Sequence, residues 1–124
     1  MIILDSNIWI AYLNKSDSTH QQSLKIFQKT NAKDILMTEY LLLEIVTVLK
    51  QIRGYKFAQE FIQLVTDENI PFIESKNFYA KTLLLFQSLN EDKLSFVDVS
   101  LLHLSKKYEL RTFDKDLRKM LVKK

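Results

Sequence analysis

Cysteine is absent from the 124-residue chain, which excludes disulfides, thiolate nucleophiles and zinc sites built on sulfur. Two histidines cannot furnish a histidine-rich metal centre, so any metal must be held mainly by oxygen. A single glycine and a single proline leave no glycine-rich phosphate loop and no linker. No apolar run reaches the roughly 18 residues of a membrane span. The opening MIILDSNIWIAYL is interrupted by Asp5 and Asn7, and it lacks the basic start and small-residue cleavage site of a signal peptide. A soluble, cytoplasmic protein with no membrane partner is expected.

What is present is a core. With 47% hydrophobic residues in 14.7 kDa, residues 1–124 suit one domain around one hydrophobic centre. The net charge of +3 is unevenly spread: residues 1–104 hold 10 Lys and Arg against 12 Asp and Glu, residues 105–124 hold 8 against 3. The basic character therefore lies at the C-terminal end.

Short apolar runs alternate with amphipathic stretches. IIL at 2–4 suits a buried strand that Asp5 ends, and Ser6 and Asn7 are placed to cap a helix over roughly IWIAYLN. Residues 18–31 read as a surface helix and ILM at 35–37 as a second strand, after which Thr38 can cap EYLLLEIVTVLKQI. Gly54 falls where a turn between helices needs permissive backbone angles. KFAQEFIQLV is helical in spacing, IPFI at 70–73 suits a short or edge strand, and 75–90 and 95–107 read as helices. LRTF at 110–113 is expected as the last strand, with a short helix from about Asp114. This alternation predicts an α/β domain with a short, mostly parallel central sheet and helices on both faces. Ligands of such sheets bind beyond the carboxyl ends of the strands, where Asp5 and Asp114 fall.

Four carboxylates are informative together. Asp98 sits in the apolar run SFVDVSLLHL, where Ser95 and Asp98 also fit a capping box. Glu44, with Tyr40 and Leu41 one turn before and Val48 one turn after, borders the apolar face of its helix; it could equally be exposed or bridged to Lys50 or Arg53. Asp5 and Asp114 could each be no more than a helix cap. If all four point into one rim, their mutual repulsion calls for Mg²⁺ or Mn²⁺. Such an ion suits phosphodiester hydrolysis by activated water.

The segments IILDSN, TEYLLLEIVTVL, LSFVDVSLL and TFDKDL together resemble the PIN domain, most closely the single-domain ribonuclease toxins of the VapC type. The resemblance covers the whole chain, and the order and spacing of the motifs make the combination specific. It implies a three-layer α/β/α domain and a Mg²⁺- or Mn²⁺-dependent endoribonuclease. It makes Asp5, Glu44 and Asp98 the core acidic ligands and Asp114 the fourth carboxylate. Asp116 matches an additional acid of the last motif. Ser6, Asn7 and Thr112 match polar residues that orient the carboxylates. The resemblance further implies an RNA substrate, a homodimer and a cognate antitoxin that blocks the acidic site. Val99 and Leu117 stand where many members carry alanine and phenylalanine, and neither change removes a ligand.

Lys50, Arg53, Arg111, Lys115 and Arg118 are the RNA-binding candidates, since a basic rim around an acidic pit would hold phosphates; as ordinary solubilising charges they need no such role. Trp9 and Tyr12 are expected in packing or an interface rather than on bases. Two further readings keep the same fold: a catalytically weak RNA-binding or scaffold protein, with the carboxylates splayed or neutralised, and a structure-specific DNA nuclease, for which the chain is short.

Overall fold

Ile3 and Leu4 are fully buried, as an apolar run with side chains on both faces of a sheet requires, and Ile2–Leu4 forms strand β1. The computed structural model describes residues 1–122. After β1 come helices α1 (Ser6–Leu13) and α2 (His20–Gln28), strand β2 (Met37–Thr38), helices α3 (Glu39–Arg53) and α4 (Tyr55–Asp67), and strand β3 (Phe72–Ile73). Helices α5 (Tyr79–Leu89) and α6 (Phe96–Leu104), strand β4 (Glu109–Arg111) and helix α7 (Lys115–Val122) complete the order.

Every strand pairing is parallel. β1 lies against β4 with Ile2 opposite Glu109 and Leu4 opposite Arg111, and β2 lies against β3 with Met37 opposite Phe72. A parallel bridge from Ile2 to Ile35 joins the two pairs, giving the row β4-β1-β2-β3. A parallel row sends all four carboxyl ends to one edge, so Asp5, the start of α3 and the segment after β4 share that edge. α1 packs on both α2 and α3, and α3 on α4, while α6 packs on both α5 and α7. Trp9, Phe61, Ile45 and Leu101 lie in the core between elements. Among the described residues, no helix is long and apolar enough to cross a membrane.

Local chemistry sets the boundaries. Thr38 caps α3, its hydroxyl accepting the Leu41 N–H at 3.0 Å. Gly54 closes α3 and opens α4 with φ +91°, and a β carbon there would meet nothing within 4 Å. The need for glycine is thus conformational rather than steric.

Helix α1 starts at Ser6, earlier than expected, because Asp5 rather than Ser6 or Asn7 is its cap, accepting the Ser6 N–H at 2.7 Å. The second strand is Met37–Thr38 rather than 35–37, Ile35 making only a bridge to Ile2. Other expected elements differ as well. The last strand ends at Arg111, because Thr112 leaves the ladder to bond Asp5 through its side chain. The helix expected over 75–90 is split: Glu39 accepts the Ser75 N–H, a 3₁₀ turn covers Ser75–Asn77, and α5 starts after Phe78. The helix expected over 18–31 starts later, since Asp17 takes the Thr19 N–H at 2.8 Å and hydroxyl at 2.7 Å in a preceding turn.

Candidate functional site

Asp5 follows directly on β1 and caps α1. Its backbone N–H donates to the Arg111 carbonyl at 3.0 Å, continuing the pairing with β4 by one residue. One carboxylate oxygen accepts the Ser6 N–H at 2.7 Å and the other accepts the Thr112 hydroxyl at 2.6 Å. The residue is 3% exposed. Burial lifts its pKa to about 6; the bonds from Thr112 and Ser6 oppose the rise, and the charges of Asp98 and Glu44 add to it. A carboxylate held that high, with two donors already acting to lower it, lies in a site that disfavours its charge.

Asp98 stands in the first turn of α6 and does form the capping box: its N–H donates to Ser95 Oγ at 3.0 Å and its Oδ2 accepts the Ser95 N–H at 2.9 Å. Its pKa is also raised, chiefly by burial and further by Asp114 and Asp116, against the lowering effect of the Ser95 bonds. Asp114 caps α7 by accepting the Leu117 N–H at 2.8 Å on Oδ1. Asp116 is half-buried in the first turn of α7. Glu44 is half-buried on α3 and accepts no hydrogen bond among the described residues.

These electrostatic links make one neighbourhood of five acids: Asp5 feels Asp98 and Glu44, while Asp98 feels Asp114 and Asp116. Oxygen donors under mutual repulsion fit a hard divalent cation in kind. Asp98 and Asp114 each use one oxygen in a cap and leave the other for such an ion. In spacing the set is looser: among the described residues, no group of three or more His, Cys, Asp or Glu is gathered as a metal would require. Repulsion between carboxylates opposes closer approach without a cation.

The Thr112 hydroxyl is the hub of this edge. Besides donating to Asp5 it accepts the Asp114 N–H at 3.0 Å and the Asn7 side-chain amide at 3.3 Å, and Asn7 in turn accepts the Phe113 N–H at 3.2 Å. The segment after β4 is thereby tied to the first turn of α1. Ser6 contributes mainly its backbone N–H, its hydroxyl lying 3.5 Å from Asp5. Thr112→Val is expected to lift the Asp5 pKa above its present value of about 6, because a donor to the charged form is lost. Carboxyl NMR titration of the metal-free protein measures it, and an unchanged midpoint would contradict the hub.

The basic candidates divide by direction. Arg53 donates to Asn14 at 3.3 Å and lies 5.0 Å over the Phe57 ring. Arg111 is paired with Glu109 at 3.1 Å and lines an open cavity with Lys25 and Lys29. Lys50 and Lys115 are exposed. Arg118 turns its Nε to the Thr112 carbonyl at 2.8 Å, a bond between residues six apart that no helical or strand spacing announces. Trp9 is buried against Phe27 and Phe61, and Tyr12 stacks on Phe27. Sequence spacing also missed an apolar groove of about 480 Å³ between α3 and α6, lined by Tyr40, Leu43, Glu44, Val48, Phe96 and Val97. Leu43 is 70% exposed there; an apolar residue on the outer face of an amphipathic helix was its one signal.

A short parallel sheet between helices, with Asp5 and Asp114 just beyond its strand ends, defines an α/β domain with an acidic sheet edge. The chain belongs to the PIN domain family, whose model matches residues 2–122. Its fold is similar to that of Mycobacterium tuberculosis VapC20, a sarcin-ricin loop cleaving toxin. The two share 20% identity and a TM-score of 0.83 over 96% of this chain and 94% of that one. No curated protein matches by sequence.

Proposed function

We propose that this protein is a metal-dependent endoribonuclease acting as the toxin of a toxin-antitoxin pair, with Asp5, Glu44, Asp98 and Asp114 holding Mg²⁺ or Mn²⁺ and Asp116 assisting. The observation that carries this reading is that Asp5 and Asp114, from opposite ends of the chain, meet on the Thr112 hydroxyl at the sheet edge, with Glu44 and Asp98 close enough to raise the Asp5 pKa further and Asp114 and Asp116 that of Asp98. A structural role for each would not require them to meet, since meeting costs stability. When bound, the ion supplies activation of water and neutralisation of charge on the scissile phosphate.

The residues themselves do the preparation. Ser6 and Thr112 donate to Asp5 and oppose the effect of burial on its charge. The Ser95 box fixes Asp98 and the α7 cap fixes Asp114, each on one oxygen, while both oxygens of Asp5 accept one bond each and keep a second lone pair. Glu44, on the wall of the apolar groove, joins the acidic edge to a surface suited to protein. That surface supports the antitoxin and homodimer readings, because an exposed Leu43 beside Tyr40, Val48 and Phe96 is apolar area that a partner would cover.

The competing reading is a catalytically weak RNA-binding or scaffold protein, favoured by the absence of a gathered trio of ligands among the described residues. Titration of Mn²⁺ into metal-free wild type and into the triple variant Asp5→Asn, Glu44→Gln, Asp98→Asn separates the two. The same samples are then given total RNA that includes ribosomal RNA with its sarcin-ricin loop. Saturable binding and cutting by the wild type alone are expected. Cutting by the triple variant would remove the assigned residues from the mechanism, and no binding by either protein would favour the scaffold.

A further inference from the structure

Arg118 is exposed, basic and two residues beyond Asp116, and by position it suits an RNA phosphate. Its side chain has another engagement. Nε donates to the Thr112 carbonyl at 2.8 Å, while the Arg118 backbone N–H donates to the Asp114 carbonyl at 3.0 Å. One residue thus holds both ends of the three-residue segment Thr112 to Asp114 from the first turns of α7.

That segment is where precision matters. The Thr112 hydroxyl has to lie within reach of Asp5 Oδ2, the Asp114 N–H and the Asn7 amide at once. A hydroxyl with one proton and two lone pairs is then fully committed, so a small rotation of the Thr112 peptide would break at least one of these bonds. The carbonyl of Thr112 lies on that peptide, and Arg118 is the side chain that fixes it.

We propose that Arg118 is a positioning residue of the acidic site: through the Thr112 carbonyl it sets the hydroxyl that orients Asp5 and the turn that presents Asp114. The inference rests on the metal-dependent reading above for its functional consequence, and on the hydrogen bonds alone for its structural one. It reverses the direction in which Arg118 acts, inward on the carboxylates rather than outward on a phosphate.

Atom count supplies the test. Glutamine carries its amide nitrogen at the same distance along the side chain as arginine carries Nε, so Arg118→Gln keeps a donor for the Thr112 carbonyl and loses the charge. Arg118→Met keeps the length and loses both. Three readouts are taken: water exchange of the Phe113 and Asp114 amides by NMR in metal-free protein, Mn²⁺ affinity by calorimetry, and the kcat and KM for RNA at several salt concentrations.

Positioning predicts that Arg118→Met exchanges these amides faster, binds Mn²⁺ about tenfold more weakly, as loss of an orienting partner does, and loses kcat with KM unchanged. Arg118→Gln is expected close to wild type in all three. A phosphate contact would instead raise KM equally in both variants and reduce the salt slope by about one, with amide exchange unchanged; that result overturns the proposal. So would a methionine variant that matches wild type. If the wild type itself fails to cut RNA, the nuclease reading falls, while amide exchange still decides whether Arg118 holds the segment.

Discussion

Asp5→Asn is expected to melt higher than the wild type in metal-free buffer at pH 7, and to cut no RNA. Asp5 is 3% exposed and its pKa is held at about 6 against 3.8 for the free group. A folded-state pKa above the unfolded one means that the folded state binds the proton more tightly. The associated stability is fully present below about pH 3.8 and is lost as pH rises through about 6. At pH 7 the ionised carboxylate therefore strains the fold, by an upper limit of about 3 kcal/mol for a shift of about two units.

Asparagine removes that charge without changing shape. Its oxygen can still accept the Ser6 N–H, but its amide would face a Thr112 hydroxyl that already accepts from Asp114 and Asn7, a mismatch costing about 1 kcal/mol. The net gain is about 1–2 kcal/mol, or roughly 3–8 °C in Tm for a domain of this size. The difference should close as pH falls from 7 to 4, where wild-type Asp5 is protonated in the folded state. Mn²⁺ at about a hundred times its Kd should raise the wild type by roughly 2.7 kcal/mol and leave the variant unmoved. A variant that melts lower than wild type, by a margin independent of pH, would show that Asp5 is a helix cap first.

The parts of this site that were legible in the sequence are those whose partners lie within one turn. Asp5 after IIL, Thr38 before α3 and the Ser95–Asp98 pair are local devices, and the structure places each where spacing put it. The parts that were not legible depend on distant side chains. The last strand ends early because Thr112 bonds Asp5, 107 residues away in sequence. α5 is delayed by Glu39, 36 residues before the turn it caps. Arg53 and Arg111 read as rim cations because charge is visible in a sequence and direction is not. Periodicity reports which face a residue takes on its own element, whereas these bonds depend on which elements the fold brings together.

Asp98 caps α6 and, on the proposed reading, also serves the acidic site, and a pair of variants should separate the two roles. Asp98→Asn is expected to reduce cleavage at least about 100-fold, beyond the 10–100-fold typical of groups that merely orient a ligand, while leaving the domain as stable as wild type. The amide oxygen can still accept the Ser95 N–H, which the carboxylate now does at 2.9 Å. Burial, the main cause of the raised Asp98 pKa, ceases to matter for a neutral side chain. Ser95→Ala should do the reverse. It removes the hydroxyl that accepts the Asp98 N–H at 3.0 Å, costs about 0.5–2 kcal/mol as capping losses do, and leaves every carboxylate in place to cut RNA. Thermal melts and RNA cleavage on the same preparations give both answers. If Asp98→Asn loses stability like Ser95→Ala and keeps its activity, the carboxylate serves the helix alone. The opposite pattern means that the Ser95 hydroxyl serves the helix while the Asp98 carboxylate serves the site: Oδ2 accepts the Ser95 N–H, and Oδ1 is left for the cation.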